Sequence, residues 1–157
     1  ITLIGALKQQ GQDVHGLVVG GEDPRRTAYA DELRARLVKE GLEDDVSFIG
    51  HRKDVREIYA VSDLVLSLSI RPESFGRTVL EALSLGRPVV GYDHGGVGEV
   101  LGEVYPCGRV PLSDPNGLVE QVNELLRNAP AVPRQHPFAL AVMLQRTIDL
   151  YQDLDAR

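Results

Sequence analysis

Short apolar runs alternate along this chain with longer stretches of helical spacing, and glycine, proline or aspartate punctuates nearly every boundary. Val14 to Val19, Val46 to Ile49, Leu64 to Ser69 and Val89 to Tyr92 are compact and rich in β-branched residues, and they read as strands. Gly108 to Pro111 reads as a short edge strand ended by proline. Helical spacing predicts helices over Thr2–Gln10, stopped at Gly11, and over Arg25–Glu40, with Pro24 suited to the first turn and Leu33, Leu37 and Val38 facing inward. Asp54 stands where an N-cap would start the helix Val55–Val61, and Asp114-Pro115 starts Asn116–Arg127. Gly98-Glu99 opens a short helix to Leu101, and Phe138–Leu154 forms a last amphipathic helix after a connector, Pro130 to Pro137, with three prolines. Strand and helix alternate throughout. The pattern predicts an α/β fold, a Rossmann-like parallel sheet with helices on both faces.

One stretch concentrates the chemistry. The apolar run Leu64 to Ser69 leads into Arg71-Pro-Glu-Ser-Phe-Gly-Arg-Thr, and a helix then runs from Phe75-Gly76 to about Leu85, where Gly86 stops it. The loop sits at the carboxyl end of its strand, where open parallel sheets bind ligands. Val79, Leu80, Ala82, Leu83 and Leu85 cover most of the helix circumference, which predicts burial nearly all round. Glu81 lies inside that apolar set, and a buried carboxylate requires a partner. Arg77, four residues earlier, is one. A ligand hydroxyl is the other, because the free amides of Gly76, Arg77 and Thr78 make an anion site strengthened by the helix dipole. Glu81 stands roughly 7.5 Å further along the axis at about 1.5 Å per residue, one sugar ring from a bound phosphate. Glu73 reaches the other side of the same ligand.

Glu73 and Glu81 have seven residues between them, with Phe75-Gly76 after the first and Glu-Ala-Leu-Ser-Leu-Gly-Arg-Pro-Val-Val around the second. Gly-Gly-Val-Gly-Glu follows at Gly95 to Glu99. In order, these motifs resemble the signature of the family-four retaining glycosyltransferases, enzymes of the two-domain GT-B fold. The resemblance covers roughly Gly11 to Arg127 and matches only that family's C-terminal, donor-binding domain. It implies a hexosyltransferase that moves a sugar from a nucleotide diphosphate sugar to an acceptor hydroxyl without a metal or other cofactor. Glu73 would contact the donor sugar as the catalytic-site residue, and Glu81 the ribose. Phe75, Gly76, Arg77 and Thr78 would line the diphosphate. Phe48-Ile49-Gly50 matches the family's Phe-x-Gly, so His51 and Arg52 become candidates for the base or ribose.

The family places a strand and a glycine-rich loop ahead of the first helix, with an Arg and a Lys for the diphosphate; neither stands here. Gly98 replaces the family's usual Pro and is expected to loosen the start of its helix. The resemblance divides the chain into a donor-binding unit at 1–130, lacking its first strand, and a connector and helix at 131–157 that would pack toward an N-terminal domain. The acceptor, a glycan or lipid-linked saccharide, belongs to that domain, so the isolated chain should bind nucleotide sugar weakly and transfer nothing. Bacterial surface polysaccharide or lipopolysaccharide synthesis, in the cytoplasm at the inner face of the cell membrane, with peripheral membrane association, is the setting implied. Two further readings stay open: another GT-B enzyme such as a nucleotide-sugar epimerase, and a non-enzymatic nucleotide-binding module.

Composition narrows the remaining classes. At 157 residues the chain suffices for one independent core, and 25% charged with 43% hydrophobic residues is ordinary for a globular protein. A net charge of −6 argues against a nucleic-acid partner. Yet Arg25-Arg26, His51-Arg52-Lys53, Arg71 and Arg77 fall in or beside loops that follow predicted strands, a basic rim suited to a small anion. The single cysteine, Cys107, excludes a disulfide framework, and no run approaches the roughly 20 residues of a membrane span. The four histidines lie far apart, and no carboxylate stands at metal-ligand spacing with His94, so no metal site is expected. A first residue of Ile rather than Met reads as part of a longer protein.

Overall fold

A computed structural model of the chain describes residues 1–21, 27–133 and 135–155. The expected helix start at Pro24-Arg25, the Arg25-Arg26 pair and Arg134 of the connector lie outside the described residues. The elements run α1 (Thr2–Gln9), β1 (Gly16–Val19), α2 (Thr27–Glu40), β2 (Val46–Gly50), α3 (Val55–Val61), β3 (Val65–Ser67), α4 (Arg77–Ser84), β4 (Val89–Tyr92), α5 (Gly95–Val104), β5 (Arg109–Val110), α6 (Pro115–Asn128) and α7 (Leu140–Asp155). The fold is α/β, and every strand pair is parallel.

The parallel ladder comes in two pieces rather than one. β1 pairs with β2, and β3, β4 and β5 form a second sheet in that order. No described strand pairs with the other edge of β1 or of β3, so each keeps one row of backbone groups outside the ladder. β1 is accordingly open, with Leu17, Val18 and Val19 each 40% exposed or more. The expected strands over Val14–Val19 and Leu64–Ser69 shorten to Gly16–Val19 and Val65–Ser67 for the same reason, since a strand end without a ladder partner does not count as strand.

The main core gathers around the three-stranded sheet. Val89 and Val90 of β4 are fully buried, with Val79, Ala82 and Leu83 of α4 and Leu101 of α5 against them. Leu118, Val122 and Leu125 of α6, at helical spacing, close the core, and Leu3 and Leu7 of α1 join it. Asp114 caps α6 as expected, its carboxylate accepting from the Gly117 amide at 2.9 Å. A smaller cluster of Leu37, Leu42 and Val46 lies under the β1–β2 pair, and Ile1, just before α1, and Ile4 of α1 pack against it. α1 therefore bridges the two hydrophobic clusters.

Two helices differ from expectation. α5 begins at Gly95, three residues ahead of Gly98, and runs to Val104, so Gly98 is inside the helix and not at its start. Glycine disfavours a helix interior by about 1 kcal/mol, which is why the stretch reads as loop. Packing overrides that preference, for Gly96, Val97 and Gly98 are all buried. The last helix begins at Leu140 instead of Phe138 and buries none of its residues. Leu140, Met143, Leu144, Ile148, Leu150, Tyr151 and Leu154 are all exposed. Among the described residues no helix is long and apolar enough to cross a membrane.

Candidate functional site

The loop after β3 and the start of α4 meet the start of α5 at the carboxyl ends of β3 and β4. Gly76 caps α4 in the left-handed conformation (φ 76°, ψ 47°), which glycine alone adopts freely. No side chain caps this helix start, so its first-turn amides at Arg77, Thr78 and Val79 have no intrahelical acceptor. A Cβ on Gly76 would lie 3.1 Å from the backbone of Val97 in α5. The loop is pressed still closer at Gly96. Its amide donates to the carbonyl of Glu73 at 2.7 Å, and a Cβ there would fall 2.4–2.5 Å from the backbone of Phe75. The imidazole of His94, one residue before α5, meets the Ser69 carbonyl through Nε2 at 2.9 Å. The two glycines thus serve loop-to-helix contact, a role that the spacing alone did not assign to them.

The carboxylates differ from each other. Glu73 is exposed, and its side chain has no hydrogen-bond or ion-pair partner among the described residues. Glu81 is half exposed and not buried as expected, and it pairs with Arg77 at 3.3 Å. At about 100° per residue Glu81 stands some 200° round the helix from fully buried Val79, on the face it shares with Arg77 and Ser84. Burial alone therefore demands no ligand partner for Glu81. Arg77 is 83% exposed, and such a pair is worth only about 0.3–0.5 kcal/mol. Both charged ends remain open to an incoming group. Tyr59 of α3 stands beside this face: burial pushes its phenol up, the nearby Glu81 charge adds to that, and the Thr78 hydroxyl pulls it back down. Phe75 is 42% exposed, and its ring meets Phe138 edge-on at a centroid distance of 5.9 Å. Phe138, one of three phenylalanines, was readable only as the start of a helix.

His51 and Arg52 occupy a second loop, at the carboxyl end of β2 in the other sheet. Both are exposed, and a Cβ on Gly21 would lie 3.5 Å from the His51 side chain. Asp54 stands at the N-cap position of α3 as expected, but its side chain makes no cap hydrogen bond. Its carboxylate instead takes Arg52 in a two-point grip, at 2.8 Å from Nε and 2.5 Å from Nη2. No hydrogen bond or ion pair joins His51 or Arg52 to the α4 group among the described residues. Asp93, before α5, is likewise held by Arg109 at 2.5 Å. Asp93, His94, Glu99, Glu103 and Arg109 line an open hollow of about 470 Å³ along α5.

Comparison with known proteins agrees with this arrangement. The glycosyl transferases group 1 family model matches residues 2–128. Mannosylfructose-phosphate synthase of Agrobacterium fabrum is 42% identical over 85 residues, 52% of this chain and 18% of that protein. The lipopolysaccharide core biosynthesis mannosyltransferase LpsB of Rhizobium meliloti is 35% identical over 89 residues, 57% of this chain and 25% of its own length. The crystal structure of Anabaena HepE in complex with UDP and glucose superposes with a TM-score of 0.73 at 31% identity, over 81% of this chain and 35% of that one. The chain thus spans about a third or less of the length of these relatives.

Two outcomes follow from the geometry. Gly96→Ala should destabilise the chain by about 1–3 kcal/mol in denaturant unfolding, because the added methyl overpacks against Phe75, whereas helix propensity alone would favour alanine. Gly102→Ala on the same helix meets only the flexible tip of Arg109 and should be neutral or stabilising. The second outcome concerns pH. Arg52 holds the Asp54 carboxyl below the ordinary carboxylate range. The stability it lends is present above the unfolded-state pKa and is lost as pH falls through the lowered folded value. An NMR titration of Asp54 should show this depressed midpoint, and Arg52→Ala should raise it toward the ordinary range.

Proposed function

This chain belongs to the glycosyl transferases group 1 family, and from that footing we propose that it is the donor-binding domain of a retaining hexosyltransferase. The observation that carries the reading is the convergence of Glu73, the uncapped start of α4 and the glycine pair of α5 at one carboxyl-end crevice. A nucleoside diphosphate sugar suits that crevice. Its diphosphate lies on the α4 amides beside Phe75, Gly76, Arg77 and Thr78, where helix dipole and guanidinium meet the growing negative charge of the leaving group. Glu81 accepts from the ribose hydroxyls, and Arg77, its present partner, turns to the phosphate. Glu73, exposed in the loop, grips hydroxyls of the transferred sugar and orients its anomeric carbon. His51 and Arg52 stand for the base and ribose, with Arg52 held in place by Asp54.

Transfer breaks the bond between the anomeric carbon and the diphosphate oxygen and forms a bond from the same face to the acceptor oxygen. The departing phosphate takes the acceptor's proton. Amides and arginine supply the charge stabilisation, so the reading needs no metal. The likeness to LpsB supports a role in bacterial lipopolysaccharide or surface polysaccharide synthesis, on the cytoplasmic side of the membrane, with the acceptor glycan or lipid-linked saccharide held by a second domain. HepE, which was crystallised with UDP and glucose, supports uracil as the base.

Calorimetric titration of this chain with UDP, GDP and ADP tests the reading. UDP should bind in preference, and Glu81→Gln should weaken it on the order of tenfold, the worth of hydrogen bonds to a charged acceptor. Indifference to all three nucleotides, or an affinity unchanged by Glu81→Gln, would overturn it. The chain alone should release no sugar to an acceptor.

A further inference from the structure

The connector between α6 and α7 is bound to the body of the protein at several points. Its first contact is at Pro130, whose carbonyl accepts from the Tyr105 hydroxyl at 3.1 Å. Val132 then packs against the main core. His136 reaches the far end of α4, with Nε2 3.1 Å from the Ser84 hydroxyl. That hydroxyl already donates its one proton to the Leu80 carbonyl at 2.7 Å. With that proton committed, the imidazole donates from Nε2, and among the described residues its Nδ1 is buried without a hydrogen-bond partner. A buried ring nitrogen left unpaired is unfavourable. Two residues later Phe138 stands at the near end of α4, edge-on to Phe75 at 5.9 Å with planes at 81°. Among the described residues the connector thus meets both the last residue of α4, through His136, and the loop that precedes the helix, through Phe138.

Phe75 is gripped from two sides. Its backbone rests on Gly96 with no space for a Cβ, and its ring rests on Phe138. Removing the ring contact leaves the loop held from the α5 side, by the Glu73–Gly96 and Ser69–His94 bonds and the close approach of Gly76 to Val97. We infer that Phe138 is a positioning residue for the donor loop: its ring fixes Phe75 and, through it, the placement of Glu73 and of the amides that open α4. The consequence for nucleotide binding rests on the function proposed above, but the consequence for the loop does not.

An edge-to-face pair adds enough for a roughly three- to tenfold effect on an equilibrium that depends on it. Two readouts on this chain test the inference. The first needs no nucleotide: hydrogen exchange at the Gly96 amide, which bonds Glu73. Phe138→Ala should speed that exchange by roughly three- to tenfold, with amides of β4 unchanged, and Phe138→Tyr should restore it by keeping the ring. Exchange that stays the same at Gly96, or that quickens equally throughout the chain, would overturn the inference. The second readout is UDP affinity in a double-mutant cycle. Phe138→Ala should weaken binding by a similar factor in the native background and have no effect in a Phe75→Ala background. Equal losses in both backgrounds would mean that Phe138 does not act through Phe75, and would also overturn it. Failure of the unsubstituted chain to bind UDP would strike the proposed function and leave the exchange result to decide the role of Phe138.

Discussion

The amide of Gly96 bonds the carbonyl of Glu73 at a point where not even a methyl group fits between α5 and the loop, and the geometry of the crevice depends on that contact. Two chain segments far apart in function meet there. One carries an exposed carboxylate and the free amides of α4; the other is the start of a buried helix anchored in the main core. With the backbones in direct contact, the loop takes its position from α5 and not from its own weak local preferences. Glu73 and the α4 amides are thereby held relative to one another, as a site for an oriented, charged ligand requires.

Around that contact the charges are arranged for exchange. Arg77 and Glu81 neutralise each other across one turn of α4 on an exposed face, so neither is committed to the interior. An anion at the helix start and hydroxyls beside the carboxylate can each take over one partner at little loss. Arg52 is different, being clamped by Asp54 through two hydrogen bonds, and it is better suited to present a fixed surface than to swing onto a phosphate. The hydrophobic side of α4 supplies the stiffness. Val79, Ala82 and Leu83 are fully buried against the sheet, which leaves the polar face free for chemistry.

The α/β alternation was legible because strand and helix periods differ so plainly, and α3 and β4 have the bounds that the pattern predicted. What was not legible depends on distant contact. The burial of Glu81 was inferred from five apolar neighbours, but eight residues of helix present only one face to the sheet. α5 was read short because its glycines disfavour helix locally, and only the loop pressed against them explains why they are there. Asp54 takes the N-cap position that the pattern gave it, but its carboxylate goes to the arginine two residues away and not to the helix amides. The division of the ladder into two sheets is a matter of edge pairing between strands remote in sequence, to which hydrophobic periodicity is blind. Phe138 carried no local signal at all for its place against Phe75.

The claim on which the account rests is that a nucleoside diphosphate lies at the start of α4 against the α5 glycines. Backbone amide shifts of the isotopically labelled chain, followed by NMR as UDP is added, test it most directly. The account predicts that the largest changes fall together at Arg77, Thr78 and Val79 and at Gly95 through Gly98. Saturable changes that spare both groups and gather elsewhere, as along the Glu32–Glu40 face of α2, would contradict it.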